Sequence, residues 1–469
     1  MTLRPALTGL LLSLALAPSA AARVGTAIHL EFDARVPVEL ARLIEGRIID
    51  DGSLDAWVDL PGNAELLRQG ALRGTLDREQ LRDNLWHAIL GHALKRGTGL
   101  GSLAFDPIGD LRKMVAELDG RKDEIERRVQ EHVATYLPEG TPEIRAAVRL
   151  HLGGTWDGRT RDDIFLNLSF FHDYGPPWFG SVEGIVAHEI VHLAHRQLDV
   201  LPEDADTPEG LFAVALAQIH SEGLGRHVEF ALVDANSPSG TYAALILRRY
   251  KDGLAGLEST FRRVDDLREV CLRRRVMQEC RALIRSGLWM GGDTYAIGHG
   301  MARAIESALG RKMLASTMRE GAARFFELYD QSTHMLPGFP PLGEGFDKDL
   351  EEAAAYLAGR RLRWSLAREG SAAHARGEYD AALAAYRRLV DLEPQDAVVA
   401  YNLAGAHARK GDADAAIEWL GKAVDLGYRD VLHIEGDPDF DSLRDGKGYR
   451  RILERLGAEA SDSPKSLRK

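Results

Sequence analysis

The side chains best suited to chemistry lie in the run V-A-H-E-I-V-H at residues 186–192. Residues four apart share one face of an α-helix, so His188 and His192 can direct two imidazoles at one ion. Glu189 lies between them, where its carboxylate can accept a proton from water at that ion without being a ligand. Two histidine ligands and one base within a single turn predict a zinc site for hydrolysis, with one Zn²⁺ per chain.

A catalytic zinc takes a third protein ligand and keeps one position open. The sixth residue after His192 is Leu198, which excludes a third histidine at that spacing. The expected ligand is instead Glu222, which follows His192 after 29 intervening residues and has the small neighbour Gly223. A small neighbour lets the helix that carries the glutamate approach the metal closely. His220 is the rival ligand.

With these residues the chain resembles the gluzincin class of metallopeptidases, in which H-E-x-x-H is completed by a downstream glutamate. The stretch around Glu222 is similar to the Asn-Glu-Gly segment of the aminopeptidase-N-like members, and a Tyr-x-x-Gly segment begins at Tyr295. The resemblance implies that His188, His192 and Glu222 bind the metal. It also implies that Glu189 is the general base and that Tyr295 stabilises the oxyanion.

The resemblance covers about residues 145–315 and has two departures. The gap between the second histidine and the glutamate is longer than in the best-known members, and a Gly-x-Met-Glu-Asn segment for the substrate amine is missing. We therefore expect a distant branch of the class, to which aminopeptidase specificity is not carried over. Tyr295 is alternatively an ordinary core or rim tyrosine, with His299 as the other oxyanion donor. His195 either supports the ligands from behind or is solvated.

The elements around these residues favour a mainly α fold with a small β-sheet. Residues 147–152 and 164–170 are short apolar or alternating runs, and they predict two strands joined by a turn-rich loop. Helices are predicted over 181–196, which carries the motif, and from Thr207 to about Leu232. The edge of the strand pair either binds an extended peptide or only covers the core. We therefore predict a zincin-like (α+β) peptidase domain.

The C-terminal part of the chain contains an internal repeat. The segment that begins at Gly377 recurs at Gly411, an offset of 34 residues, which is the tetratricopeptide period. The chain resembles tetratricopeptide repeats here over roughly residues 365–430, and this implies an α-α repeat domain. Two repeats are too few to stand alone, so we expect them to lean on the peptidase domain or on a protein partner.

The predicted organisation has five parts: a signal peptide (1–22), a mostly helical region (23–145), the peptidase domain (146–360), the repeat domain (365–457) and a disordered tail (458–469). A basic start, a short apolar core and small residues at the cleavage site indicate the signal peptide. The signal and the Ala- and Arg-rich composition favour export to a bacterial periplasm.

Composition limits the partners that the protein can have. The chain has 469 residues and a net charge of −12, which argues against nucleic acid or an anionic membrane surface as the main partner. After the signal peptide no apolar run reaches about 18 residues, so the mature protein is expected to be soluble and without a membrane span.

Two cysteines, Cys271 and Cys280, are present. Residues 272–278 are predicted to be helical, and nine residues of helix separate two Cα atoms by about 13 Å. A disulfide requires less than about 7 Å. Unless the helix breaks between them, the two cysteines are therefore expected to be separate thiols.

The leading hypothesis is a zinc metallopeptidase that acts on peptide or protein substrates and docks a protein partner through its repeats. One alternative is a catalytically silent zincin scaffold whose repeats carry the function. The other is a zinc amidase that acts on cell-wall material. The intact Glu189 argues against a silent scaffold, because loss of the base is the simplest way to abolish activity.

Overall fold

The architecture is taken from a computed structural model, which describes residues 26–92, 107–154, 158–173, 182–199, 202, 204–233, 241–289 and 292–462. These residues form a mainly helical molecule with one four-stranded sheet, which confirms the predicted fold class. The predicted signal peptide lies outside the described residues. Within the described ranges, none of the helices combines the length and apolarity needed to cross a bilayer.

The sheet has the strand order β1-β2-β4-β3. Its strands are β1 (Ile28–Asp33), β2 (Ile144–His151), β3 (Gly158–Thr160) and β4 (Ile164–Asn167). β2 pairs in parallel with both β1 and β4, whereas β3 is antiparallel to β4 and forms an edge of the sheet. Both predicted strands are present. The second ends at Asn167 because a short helix, α6 (Leu168–Asp173), begins directly after it.

The N-terminal region is mostly helical, with β1 as the exception. Its helices are α1 (Arg35–Gly46), α2 (Asp51–Val58), α3 (Ala64–Arg73), α4 (Arg78–Ile89) and α5 (Pro107–Val133). Strand β1 pairs with β2 in the register Ile28 to Ile144, so the expected domain boundary at residue 145 falls inside a paired strand. The sequence does not predict β1, because its partner lies far along the chain.

Two long helices carry the motif residues: α7 (Val182–Leu198) and α8 (Pro208–Phe230). Helix α7 is buried over most of its length and packs against α5, α8 and the sheet. Helix α8 begins at the predicted cap, where the Thr207 hydroxyl accepts a hydrogen bond from the Gly210 N–H at 3.0 Å. A threonine cap followed by a proline gives the helix a defined start.

A further set of helices covers α8 and completes the main core. They are α9 (Tyr242–Ala255), α10 (Leu257–Leu267), α11 (Met277–Leu283), α12 (Asp293–Leu309), α13 (Arg311–Glu320) and α14 (Ala322–Met335). Helix α12 makes a long contact with α8. This contact brings the Tyr-x-x-Gly segment to the motif helices.

Cys271 and Cys280 form a disulfide, because the helix between them breaks, which was the stated exception to the expectation of two separate thiols. A π-helical segment (Arg268–Arg274) ends at Arg275, which has φ 55°, and Val276 is extended before α11 begins. This break reverses the chain and brings the two Cα atoms to 5.4 Å. A continuous helix would have held them too far apart.

The C-terminal part is a helical repeat array. Its helices are α15 (Phe346–Ala375), α16 (Tyr379–Leu392), α17 (Ala397–Lys410), α18 (Ala413–Asp425), α19 (Val431–Gly436) and α20 (Lys447–Asp462). Helix α15 belongs to both parts: Phe346 and Leu350 enter the main core, whereas Leu366 and Ala373 enter the core of the repeats. The expected boundary at 360–365 therefore lies within a continuous helix. Helix α20 extends into the expected tail, and residues 463–469 lie outside the described ranges.

Candidate metal centre

Three side chains from α7 and α8 converge on one point. The Nε2 atoms of His188 and His192 are 3.0 Å apart, and Glu222 Oε2 lies 3.3 Å from each of them. They form the one group of at least three possible ligands that the described residues contain. The structure therefore brings the expected third ligand to the two histidines.

The spacing of these atoms suits a tetrahedral ion. Ligand atoms about 2.1 Å from a tetrahedral Zn²⁺ are about 3.4 Å apart, close to the observed triangle. Two imidazole nitrogens and one carboxylate oxygen are a donor set that zinc prefers, and three ligands leave one position open. The residues present therefore fit a catalytic zinc ion.

The outward nitrogens of both histidines are hydrogen bonded to α8. His188 Nδ1 lies 3.0 Å from Glu229 Oε2, and His192 Nδ1 lies 2.9 Å from Ser221 Oγ. A donor bond from Nδ1 leaves Nε2 of the neutral ring available to a metal. Arg226 in turn donates to Glu229 Oε1 at 2.7 Å.

Sequence reasoning missed these supporting residues. Glu229 lies two helical turns after Glu222 on α8, so it shares the face of the ligand, and Ser221 is adjacent to it. That periodicity is a signal that could have found Glu229.

The electrostatics of the centre favour a cation. Burial lowers the pKa of His188, but hydrogen bonds to Glu222 and Glu229 outweigh it and raise the pKa to about 10. Burial raises the pKa of Glu222, but the charges of His192 and His188 and their hydrogen bonds hold it well below its usual range. The carboxylates therefore stay ionised and hold a positive charge between them in the form without metal.

Glu189 is held by a residue of the sheet. The Thr160 hydroxyl donates to Glu189 Oε2 and lies 3.2 Å from the main-chain oxygen of the same residue. Glu189 is buried and lines the same cleft as the three ligands. Thr160 belongs to β3, which the sequence does not predict.

Close backbone approaches set the geometry of the helices. A Cβ at Gly225 would lie 2.9 Å from Nε2 of His188, so glycine makes room for the ring of the first ligand. A Cβ at Gly298 would lie 2.0 Å from the carbonyl oxygen of Ile219, and one at Gly223 would meet the Gly298 backbone at 2.3 Å. The glycine next to the third ligand therefore makes room for the backbone of helix α12, and not only for the metal.

The crossing of α8 and α12 brings Tyr295 into the cleft. Its ring centre is 6.1 Å from that of His188, and the guanidinium of Arg226 lies 4.8 Å from the tyrosine ring centre. The structure thus brings Tyr295 to the candidate metal centre.

The three other histidines considered as site residues, His220, His195 and His299, are placed elsewhere. His220 is buried, with Nε2 2.9 Å from Thr317 Oγ1, so it is not the third ligand. His195 is fully buried with its ring 4.7 Å from that of His220, so it is not solvated. His299 is buried against His227 and does not line the cleft. All three occupy positions in the core.

Comparison with known proteins decides the family. A family described as "Putative zinc dependent peptidase (DUF5700)" matches residues 55–337. The chain belongs to this family. The matched range contains His188, His192, Glu222 and Tyr295. A tetratricopeptide repeat family also matches residues 373–430, which confirms the repeat prediction.

Curated relatives match shorter parts of the chain. A chloroplastic protein of Arabidopsis thaliana is 29% identical over 19% of this chain and 28% of its own length. The heat-shock protein cognate co-chaperone sgt12 of Aspergillus fumigatus is 29% identical over 37% of this chain and 50% of its own length. The chain thus spans half or less of these relatives. No solved structure matches it significantly.

The candidate metal centre opens into a cleft of about 330 Å³. Residues of α7, residues of α8, Tyr295 of α12 and strand β3 at the edge of the sheet line the cleft. An edge strand beside a metal centre can bind an extended chain by main-chain hydrogen bonds. The cleft can therefore present a peptide bond to Glu189 and to an ion at the three ligands.

Proposed function

We propose that the protein is a zinc-dependent peptidase of the gluzincin type, with one Zn²⁺ per chain held by His188, His192 and Glu222. The observation that carries this proposal is the triangle of ligand atoms, with edges of 3.0 to 3.3 Å, beside a buried glutamate in an open cleft. Membership of a family described as zinc dependent peptidases supports the same reaction.

Each residue of the site has its own role in hydrolysis. A zinc ion at these ligands supplies Lewis acidity, which activates water near neutral pH and polarises a carbonyl. Glu189 accepts the proton of the attacking water and returns it to the leaving amine. Thr160 orients the Glu189 carboxylate through its hydrogen bond. Tyr295 donates to the oxyanion, and loss of such a donor costs about 3 kcal/mol of transition-state stabilisation.

Activity and zinc content test the proposal together. The mature protein is expected to bind zinc and to cleave unfolded protein or a peptide library, whereas Glu189→Gln binds zinc but does not cleave. Zinc binding without cleavage by either form would favour a silent scaffold. Cleavage confined to peptidoglycan fragments would favour the amidase alternative.

We also propose that the protein is exported to a bacterial periplasm and that residues 1–22 are removed as a signal peptide. The disulfide between Cys271 and Cys280 supports an oxidising compartment, since such bridges are rare in the cytosol. The test is the N-terminal sequence of the mature protein recovered from a periplasmic fraction.

The domain organisation is a further proposal: a peptidase domain followed by repeats that dock a protein partner. The match to tetratricopeptide repeats over 373–430 supports a protein-interaction role. Co-purification of a partner with the full chain, and its loss when the repeats are removed, tests this role.

A further inference from the structure

The walls of the metal cleft carry cationic side chains that the proposed reaction does not use. Among the described residues that line the cleft, three are arginines and three are glutamates: Arg159, Arg196, Arg226, Glu189, Glu222 and Glu229. The charges of these six residues sum to zero, so an ion bound at the ligands would make the sum of the charges that line the cleft positive. The whole chain, in contrast, carries a net charge of −12.

Arg196 is the best placed of these arginines to meet a substrate. It lies four residues after His192, so it continues the row of metal ligands along the same face of α7, about 6 Å further on. Its guanidinium donates to the carbonyl oxygen of Arg161 at 2.8 Å. Arg161 directly follows β3, so Arg196 is held where the edge strand ends.

The other two arginines of the cleft are placed differently. Arg226 donates to Glu229 at 2.7 Å and so supports the hydrogen bond that holds His188, and Arg159 lies 3.8 Å from Glu65. Arg196 is the arginine that combines a place on the ligand face of α7 with a contact at the end of β3.

We propose that this cleft selects substrates with a carboxylate close to the scissile bond, and that Arg196 contacts that carboxylate. The proposal rests on the proposed peptidase function and names its substrate class. A guanidinium forms two parallel hydrogen bonds with a carboxylate, and a positive cleft concentrates anionic ligands. The carboxylate is either an acidic side chain or the free C-terminus of a short peptide.

The direction of the bound peptide distinguishes these two sources. A peptide that pairs antiparallel with β3 places residues N-terminal to the scissile bond near Arg161, and hence an acidic side chain against Arg196. A peptide that pairs in parallel places its C-terminal end there. Matched substrates therefore separate the sources: Glu against Gln at each position, and a C-terminal acid against an amide.

In at least one of these matched pairs, we expect the zinc-loaded protein to cleave the acidic member with a kcat/KM about tenfold higher than the neutral member. This ratio of kcat/KM values should fall as the salt concentration rises. Arg196→Gln should bring the ratio close to one, whereas Arg196→Lys should retain part of it. Arg127→Gln, which removes an exposed arginine of α5 outside the cleft, should leave the ratio unchanged.

Binding of the same pairs to zinc-loaded Glu189→Gln tests the inference without turnover. If acidic peptides bind preferentially but none is cleaved by the natural protein, the carboxylate site stands and the peptidase proposal fails. If peptides are cleaved or bound with equal efficiency whatever their charge, the proposed role of Arg196 is overturned while the peptidase proposal stands.

Discussion

At the scale of residues, the candidate metal centre depends on the contact between the consecutive helices α7 and α8. His188 and His192 are neighbours on α7, and their spacing alone brings their rings together. Glu222 comes from α8, and its carboxylate closes the triangle. The third ligand therefore decides whether the two histidines form a metal centre at all.

Substitutions of Glu222 and His220 test which of the two is the third ligand. We expect Glu222→Ala to weaken zinc affinity by more than about 100-fold, because only two ligands remain and the centre loses its compensating charge. The matched variant His220→Ala should bind zinc as the natural protein does, since His220 faces Thr317 in the core. Competition with a chromogenic chelator measures both. The reverse order of affinities would reassign the ligand.

The raised pKa of His188 predicts that zinc binding is linked to protons. Its pKa of about 10 means that the ring is protonated at pH 7 in the form without metal. Zinc needs the neutral ring, so binding must release at least one proton, and apparent affinity should rise about tenfold per pH unit between pH 6 and 8. Calorimetry in buffers of different ionisation enthalpy measures the release. Heats that do not depend on the buffer would contradict this prediction.

At the scale of elements, the α8–α12 crossing connects the metal ligands to Tyr295. Gly223 and Gly298 face each other there with no space for a side chain. Because α12 carries Tyr295 one turn before Gly298, the same contact places the tyrosine in the cleft. The close packing of these two glycines therefore helps to place Tyr295 in the cleft.

A methyl group at this crossing should destabilise the protein. Gly298→Ala is expected to lower the free energy of unfolding by about 1 to 3 kcal/mol, because the backbones of α8 and α12 must separate. Gly120→Ala is the matched control, since Gly120 lies in helix α5 with no atom within 4 Å of the added methyl. It should stabilise the protein by about 0.5 to 1 kcal/mol. Thermal unfolding of both variants measures the difference, and equal effects would contradict the packing argument.

At the scale of the whole molecule, helix α15 joins the part that contains the candidate metal centre to the repeats. Its first half packs on α8 and α14, and its second half packs on α16. Arg361, midway along the helix, forms two hydrogen bonds at 2.7 and 2.8 Å with Asp199, directly after α7. A continuous helix and this ion pair tie the repeats to the end of the motif helix.

Two truncations test the role of this helix in the main core. A chain that ends at residue 376 keeps α15 and should fold and bind zinc with unchanged affinity. A chain that ends at residue 345 lacks Phe346 and Leu350, exposes apolar surface of the main core and should lose cooperative unfolding. Circular dichroism and zinc titration measure both. Normal folding of the shorter chain would show that α15 belongs to the repeats alone.

The sequence by itself determined those features that depend on local periodicity. The spacing of His188 and His192, the Thr207 cap, the two strands before the motif helix and the 34-residue repeat all follow from residues close in the chain. Glu222 was inferred from the need for a third ligand and from its small neighbour, whereas Tyr295 was identified only through a resemblance, since no local periodicity relates it to the histidines.

Tertiary structure decided the features that join distant segments. The pairing of β1 with β2, the Thr160 contact with Glu189 and the burial of His195 depend on which elements pack together, and no local pattern specifies this. The disulfide depends on the break at Arg275, which has a left-handed backbone, and Val276, which is extended, where the local pattern predicts a continuous helix. Such residues carry a weak sequence signal because the surrounding contacts, rather than intrinsic preference, hold their conformation.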